Sequence, residues 1–220
     1  MSIISQLSTI NRHIRTLEKK YHRTHNSVAL LAVTKKQPAE KIREAYNAGQ
    51  HLFAENYVQE ALSKQIALRD LNIEWHFIGN IQSNKTKLIA ENFSWVHSVN
   101  RLSIAEKLNQ YRESIKKILN VCIEVNIDEE KTKSGVLPND VFELAKKITG
   151  LKYLKLRGLM IIPEKNNSKA FQKTFLLQQQ LIQRGLSLDT LSMGLSADFE
   201  AAIAAGSTIV RIGTAIFGER

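Results

Sequence analysis

Residues 121 to 127 read Val-Cys-Ile-Glu-Val-Asn-Ile. Alternation puts Val121, Ile123, Val125 and Ile127 on one face and Cys122, Glu124 and Asn126 on the other, the two-residue period of a β-strand. Two settings suit such a strand. At a sheet edge the polar face would be wet; in a barrel the aliphatic face would meet helices while Glu124 and Asn126 point inward near the open end. The second placement is costly unless those groups are hydrogen-bonded.

The flanking sequence favours the barrel. Strand-like runs occur at 29–33, 51–54, 75–78, 95–99, 120–127, 155–160, 190–193 and 209–212, giving about eight β/α units. Helical patterns separate them: Ile42, Ala45, Tyr46 and Gly49 share one face, as do Val141, Leu144, Ala145 and Ile148, with Gly150 as a stop signal. Ile3, Leu7, Ile10, Ile14 and Leu17 form the narrow seam of an opening helix over residues 2–20. No linker or low-complexity tract interrupts residues 1–220, so one domain is expected. Strands alternating with helices imply parallel pairing, and eight units in this length imply an α/β fold, a TIM-type (β/α)8 barrel with an extra N-terminal helix. Its function is expected at the C-terminal ends of the strands.

Composition bounds the function class. The chain of 220 residues is 43% hydrophobic and 24% charged, an ordinary core-forming balance. No apolar run is long enough to span a bilayer, and the N-terminus lacks the apolar core of a targeting segment. A single cysteine, Cys122, leaves no internal disulfide, so a cytoplasmic location is the default. The net charge of +10 is dispersed in pairs such as Lys116-Lys117 and Lys146-Lys147, without interleaved aromatics, so no nucleic-acid partner is expected.

The chemistry-bearing residues cluster at the two ends of the chain. The first strand ends in LLAVTKK, and alternation from Leu31 and Val33 turns Lys35 inward. A lysine near apolar walls and another cation loses some preference for the ammonium form, and the neutral amine is the species that attacks an aldehyde. The last strand leads through Arg211 into Gly213-Thr214, a turn suited to an anion. Ser196 stands at an N-cap position and Ser192 at a strand tip, so both hydroxyls could turn toward a phosphate at the mouth. Capping and turn formation alone would also account for these residues. A closed barrel makes the first and last strands neighbours, which brings Lys35 near Arg211. His76 and His97 lack companions at metal-ligand spacing and read as structural histidines, so no metal is expected. Lys133 reads as a loop lysine, or as a second amine near the mouth.

These segments resemble one family. WHFIGNIQSNK at 75–85, AVTK ending at Lys35, FAENYVQEA at 53–61, KSG at 133–135, RGLM at 157–160, SMGLSADFEAAIAAGST and VRIGTAIFG follow in order the pattern of the YggS/PROSC family, the pyridoxal phosphate homeostasis proteins. The resemblance implies a fold similar to the alanine racemase barrel domain, of pyridoxal-phosphate fold type III. It also implies pyridoxal 5′-phosphate held as a Schiff base on Lys35. Arg211 would then face the pyridine nitrogen, Ser192, Ser196, Gly213 and Thr214 would hold the phosphate, and Asn56 would lie beside the cofactor.

Two functions compete under this resemblance: a cofactor carrier serving pyridoxal-phosphate apoenzymes, and a racemase-like enzyme. An arginine at the ring nitrogen weakens the ring as an electron sink, yet racemases of similar fold use one. Alanine racemase takes an opposing tyrosine base from a second domain, whereas this sequence stops after its eighth unit at Arg220, and its tyrosines fall mostly on helices. The carrier reading is therefore preferred, and a monomer is expected.

Overall fold

The structure is a computed structural model that describes residues 2–165 and 167–218. Helix α1 (Ile3–Lys20) precedes eight strands: β1 (Ala29–Val33), β2 (Leu52–Glu55), β3 (Glu74–Phe77), β4 (Trp95–Val99), β5 (Leu119–Glu124), β6 (Leu154–Met160), β7 (Thr190–Ser192) and β8 (Ile209–Ile212). The helices between and after them are α2 (Ala39–Asn47), α3 (Val58–Ala67), α4 (Thr86–Asn92), α5 (Leu102–Ile115), α6 (Val141–Thr149), α7 (Lys169–Gln183), α8 (Phe199–Ala204) and α9 (Thr214–Phe217). All strand pairs are parallel and the sheet closes from β8 back to β1, the expected barrel. In the closing register Leu31 lies opposite Arg211.

Each strand sorts its side chains between two cores. The outer core packs strand residues such as Leu30, Phe53, Phe77, Val121 and Leu191 against the helices. The interior divides in two. Leu31, Val33, Ala54 and Ile209 fill the side built from β1, β2 and β8, while Trp95, Cys122 and Met160 meet on the opposite side. Helix α1 is held by the predicted seam, with Ile3, Leu7, Ile10, Ile14 and Leu17 all buried, and Ser2 caps it by accepting from the Ser5 amide. It packs on α2, α8 and α9, so it shields the junction where the barrel closes.

The decisive strand is shorter than its alternation suggests. β5 ends at Glu124, because the following loop doubles back: Val136 N–H donates to Glu124 O, and Asn126 N–H donates to Val136 O. Asn126 serves that loop, its side chain bonding both the Glu130 carbonyl and the Glu130 amide. Gly150 ends α6 at φ −78°, so that stop needs no left-handed backbone.

Gly158 is required by close approach. A Cβ there would lie 1.8 Å from Thr190 O on β7, inside the strand pair that carries Ser192. Gly158→Ala should therefore destabilise the fold by about 2–4 kcal/mol, as overpacking against backbone cannot relax by rotamer change. Gly150→Ala, whose Cβ meets only Lys147 O at 3.4 Å, should be neutral or slightly stabilising. Urea unfolding of the two variants checks the contrast.

Candidate functional site

The C-terminal ends of β1, β7 and β8 surround a cavity of about 250 Å³, lined by Val33, Lys35, Leu195, Ser196, Ala197, Arg211, Gly213 and Thr214. Five of the seven residues expected from sequence thus meet in one place. Gly213 abuts β1, where a Cβ would come within 2.9 Å of Val33 O. The Thr214 and Ala215 amides open α9 and have no acceptor within it, so they are available to an anion.

Lys35 reaches the cavity because its turn is clamped from behind. Lys64 on α3 is buried, and its Nζ donates to Thr34 O at 2.7 Å, to Glu55 Oε1 at 2.7 Å and to Glu60 Oε1 at 2.6 Å. Thr34 Oγ1 donates to the same Glu55 carboxylate, and the Lys36 amide donates to Glu60. Lys36 takes a left-handed φ of 61°, which turns the chain outward immediately after Lys35. Burial pushes the Glu55 carboxyl up, against the opposing pull of Lys64 and Thr34. The sequence carries one local signal of this clamp, the i, i+4 pair Glu60 and Lys64; its partners just after β1 and on β2 are too distant in the chain to read from a pattern.

Arg211 forms the floor. It is fully buried, and its guanidinium donates to Ser192 O at 2.6 Å, Ser192 Oγ at 2.7 Å and Ile161 O at 2.7 Å. Burial lowers its pKa to about 10, which still leaves a cation at neutral pH. Cys122 beside it is an inert thiol, pushed up to about 12 by burial.

Two expectations are corrected. Ser192 does not turn toward the mouth: it is buried, with its hydroxyl between His97 Nδ1 and Arg211, so it supports Arg211 from below. Ser196 is not an N-cap, since α8 begins at Phe199 with Asp198 in the cap position; Ser196 stands in the loop that walls the cavity. Asn56 lines a neighbouring cavity of about 430 Å³ with Tyr57, Phe77, Asn80, Gln82 and Lys85. Its Oδ1 is buried there without a partner. His76 and His97 are hydrogen-bonded interior residues, as read from sequence. Lys133 is paired with Asp128 and Glu130. Among the described residues no group of His, Cys, Asp and Glu is placed to hold a metal, and no helix is long and apolar enough to cross a membrane.

The family model described as the alanine racemase N-terminal domain matches residues 5–220. The chain belongs to that family. A pyridoxal phosphate homeostasis protein of Vibrio alginolyticus is 52% identical over 228 residues, covering 100% of this chain and 98% of the relative. PipY of Synechococcus elongatus, solved with pyridoxal phosphate bound, superposes with a TM-score of 0.87 at 35% identity, covering 99% of this chain and 100% of that one. Alanine racemase from Streptomyces coelicolor shares the barrel at a TM-score of 0.73 and 18% identity, over 97% of this chain and 59% of the racemase. Within the family, the chain is therefore more similar to the homeostasis proteins and PipY in both sequence and fold, and shares only the barrel with the racemases.

Glu124, at the end of β5, is buried with one carboxylate oxygen unpartnered, and burial raises its pKa to about 7 against the opposing pull of Arg211. An acid whose folded pKa lies above its ordinary 4.5 binds more protons folded than unfolded between those values, so stability falls as pH rises from about 4.5 to about 7. Glu124→Gln should abolish that slope and make the protein more stable than the parent at pH 8, by at most ~3 kcal/mol. Denaturant melts at pH 5 and pH 8 measure it.

Proposed function

We propose that the chain holds pyridoxal 5′-phosphate as a Schiff base on Lys35 and serves intracellular cofactor homeostasis by keeping it and passing it to apoenzymes. The single observation that carries this is the cavity in which an amine, a buried cation and an anion-suited turn converge. The residues fit the cofactor's chemistry part by part. Arg211 presents a fixed cationic donor to a ring nitrogen. Ser196, Gly213 and Thr214 offer a hydroxyl pair and backbone amides to a phosphate. Asn56, with its unpartnered Oδ1, flanks the site from the next strand. Ser192 holds Arg211 instead of the phosphate. When bound, the cofactor supplies an aldehyde that an amine can capture and release. The same reading takes the protein to be a cytoplasmic monomer.

Lys35→Ala should remove the visible absorbance of the bound cofactor while leaving the barrel folded, and borohydride should fix the label on a peptide containing Lys35 in the parent protein. The label on Lys36 or Lys133 would mean a different anchor. Unphosphorylated pyridoxal should bind at least ~100-fold more weakly than the phosphate ester, because it forfeits the charge-assisted contacts of the Gly213-Thr214 turn.

Carrier and enzyme separate on the second base. Proton removal and return on two faces of a carbon need two positioned groups. Among the described residues lining the cavity, Lys35 is the only side chain suited to that work, and none is a tyrosine. The loaded protein should accordingly show negligible racemase, transaminase or decarboxylase turnover across the common amino acids, yet restore activity to a cofactor-free apoenzyme. Sustained turnover that is lost in Lys35→Ala would replace the carrier reading with a racemase-like one.

A further inference from the structure

Below the cavity a single file of hydrogen bonds crosses the barrel. Glu74 Oε1 lies 3.0 Å from His76 Nε2, His76 Nδ1 lies 2.9 Å from His97 Nε2, His97 Nδ1 lies 2.8 Å from Ser192 Oγ, and Ser192 Oγ lies 2.7 Å from Arg211 Nη1. The file draws on β3, β4, β7 and β8. His76, His97, Ser192 and Arg211 are buried, whereas the Glu74 side chain is 45% accessible. Glu74 opens β3 and therefore meets water at the N-terminal end of the barrel, opposite the cavity.

The chemistry of the two ends fixes the direction of every bond between them. A guanidinium only donates, and a carboxylate only accepts. Glu74 is held below the usual carboxylate range by its bond to His76, and burial drives both histidines toward the neutral form, which carries one ring N–H. His76 must place that hydrogen on Nε2, facing Glu74, so its Nδ1 accepts. His97 must then donate from Nε2, so its own Nδ1 accepts, and only the Ser192 hydroxyl is placed to donate to it. With its hydrogen committed to His97, the Ser192 oxygen turns lone pairs to Arg211. Trp95, stacked on His76 at 5.3 Å with planes 9° apart, keeps the first ring from swinging out of line.

We propose that Glu74 is a positioning residue for Arg211. Its carboxylate selects the Nε2–H form of both histidines and thereby commits the Ser192 hydrogen to His97, leaving the oxygen's lone pairs to fix the guanidinium beneath the cavity. Without Glu74, His76 can carry its hydrogen on Nδ1. His97 then accepts at Nε2 and donates from Nδ1, so the Ser192 oxygen must accept from His97 and Arg211 together and its own hydrogen loses its acceptor in the file, which loosens the hold on the guanidinium. The consequence for cofactor retention rests on the proposed function above; the proton arrangement does not.

Nitrogen-15 NMR of histidine-labelled, cofactor-free full-length protein at pH 7 reads the arrangement directly, with resonances assigned through His76→Gln and His97→Gln. Both buried rings are expected as neutral Nε2–H forms; finding His97 as Nδ1–H, or either ring as a cation, overturns the proposal. Glu74→Leu, at a half-exposed position that should not threaten folding, is expected to turn His97 into a mixture of forms and to speed cofactor release about 3- to 10-fold. Glu74→Gln, whose carbonyl can still accept, is expected to keep both properties of the parent. A Glu74→Leu protein with unchanged His97 and unchanged release would also defeat the proposal. Because the NMR needs no cofactor, failure of the parent protein to load one would count against the cavity reading alone.

Discussion

A guanidinium buried in a barrel core constrains everything around it. Arg211 is the largest fully buried side chain, and an unpaired charge there would cost several kcal/mol. Its donors are met by three oxygens from two segments, Ser192 on β7 and Ile161 just after β6. That demand explains the asymmetry of the interior. The side formed by β1, β2 and β8 is aliphatic, whereas β3 to β7 supply His76, His97, Glu124 and Ser192 as polar interior groups. The acceptors of Arg211 come from β7 and from just after β6, the same strand pair in which Gly158 has no room for a Cβ.

The same economy appears on the opposite wall, where a buried ion cluster secures a backbone turn. Lys64 binds Thr34 O and two carboxylates, and those carboxylates bind Thr34 and the Lys36 amide. Such clusters are poor sources of net stability, because desolvation offsets most of the attraction. Their effect is geometric: Lys35 extends from a turn whose carbonyl, hydroxyl and following amide are all tied down. One cation is thus fixed through its own guanidinium under the cavity, and one amine through the backbone of the turn that carries it.

Much of this was legible in the sequence. Strands β1, β4 and β8 fall where alternation puts them, since each is bounded by turn chemistry a few residues long. The alternation predicts too long a β5, because Val125 and Ile127 continue it, while the hydrogen bonds that end the strand come from Val136, too distant for a local pattern to reveal. The sequence places a cap at Ser196, whereas α8 starts two residues later than that pattern suggests; Asp198 holds the cap position by its backbone alone, and its carboxylate accepts from the Leu195 amide in the preceding loop. The role of Ser192 was hidden for a different reason. A serine at a strand tip suits a phosphate equally well, and only the arrival of His97 from β4, 95 residues away in sequence, commits its hydroxyl elsewhere. Long-range polar pairing inside a barrel leaves no periodic trace.

The contrast between floor and walls bears on what such a site can do. Arg211 and the residues beneath it are buried and mutually bonded, whereas Leu195, Ala197 and Thr214 around the cavity are exposed. Catalysis at a carbon centre profits from water exclusion and from groups placed on both faces, and an open rim provides neither. Holding a small anionic ligand asks for less: a fixed cation, a few amides and a captured carbonyl supply affinity without enclosure. Affinity built from a handful of strong polar contacts instead of apolar burial can be surrendered one contact at a time from the solvent side. A rigid floor under an open rim is therefore the physical basis of the carrier proposal.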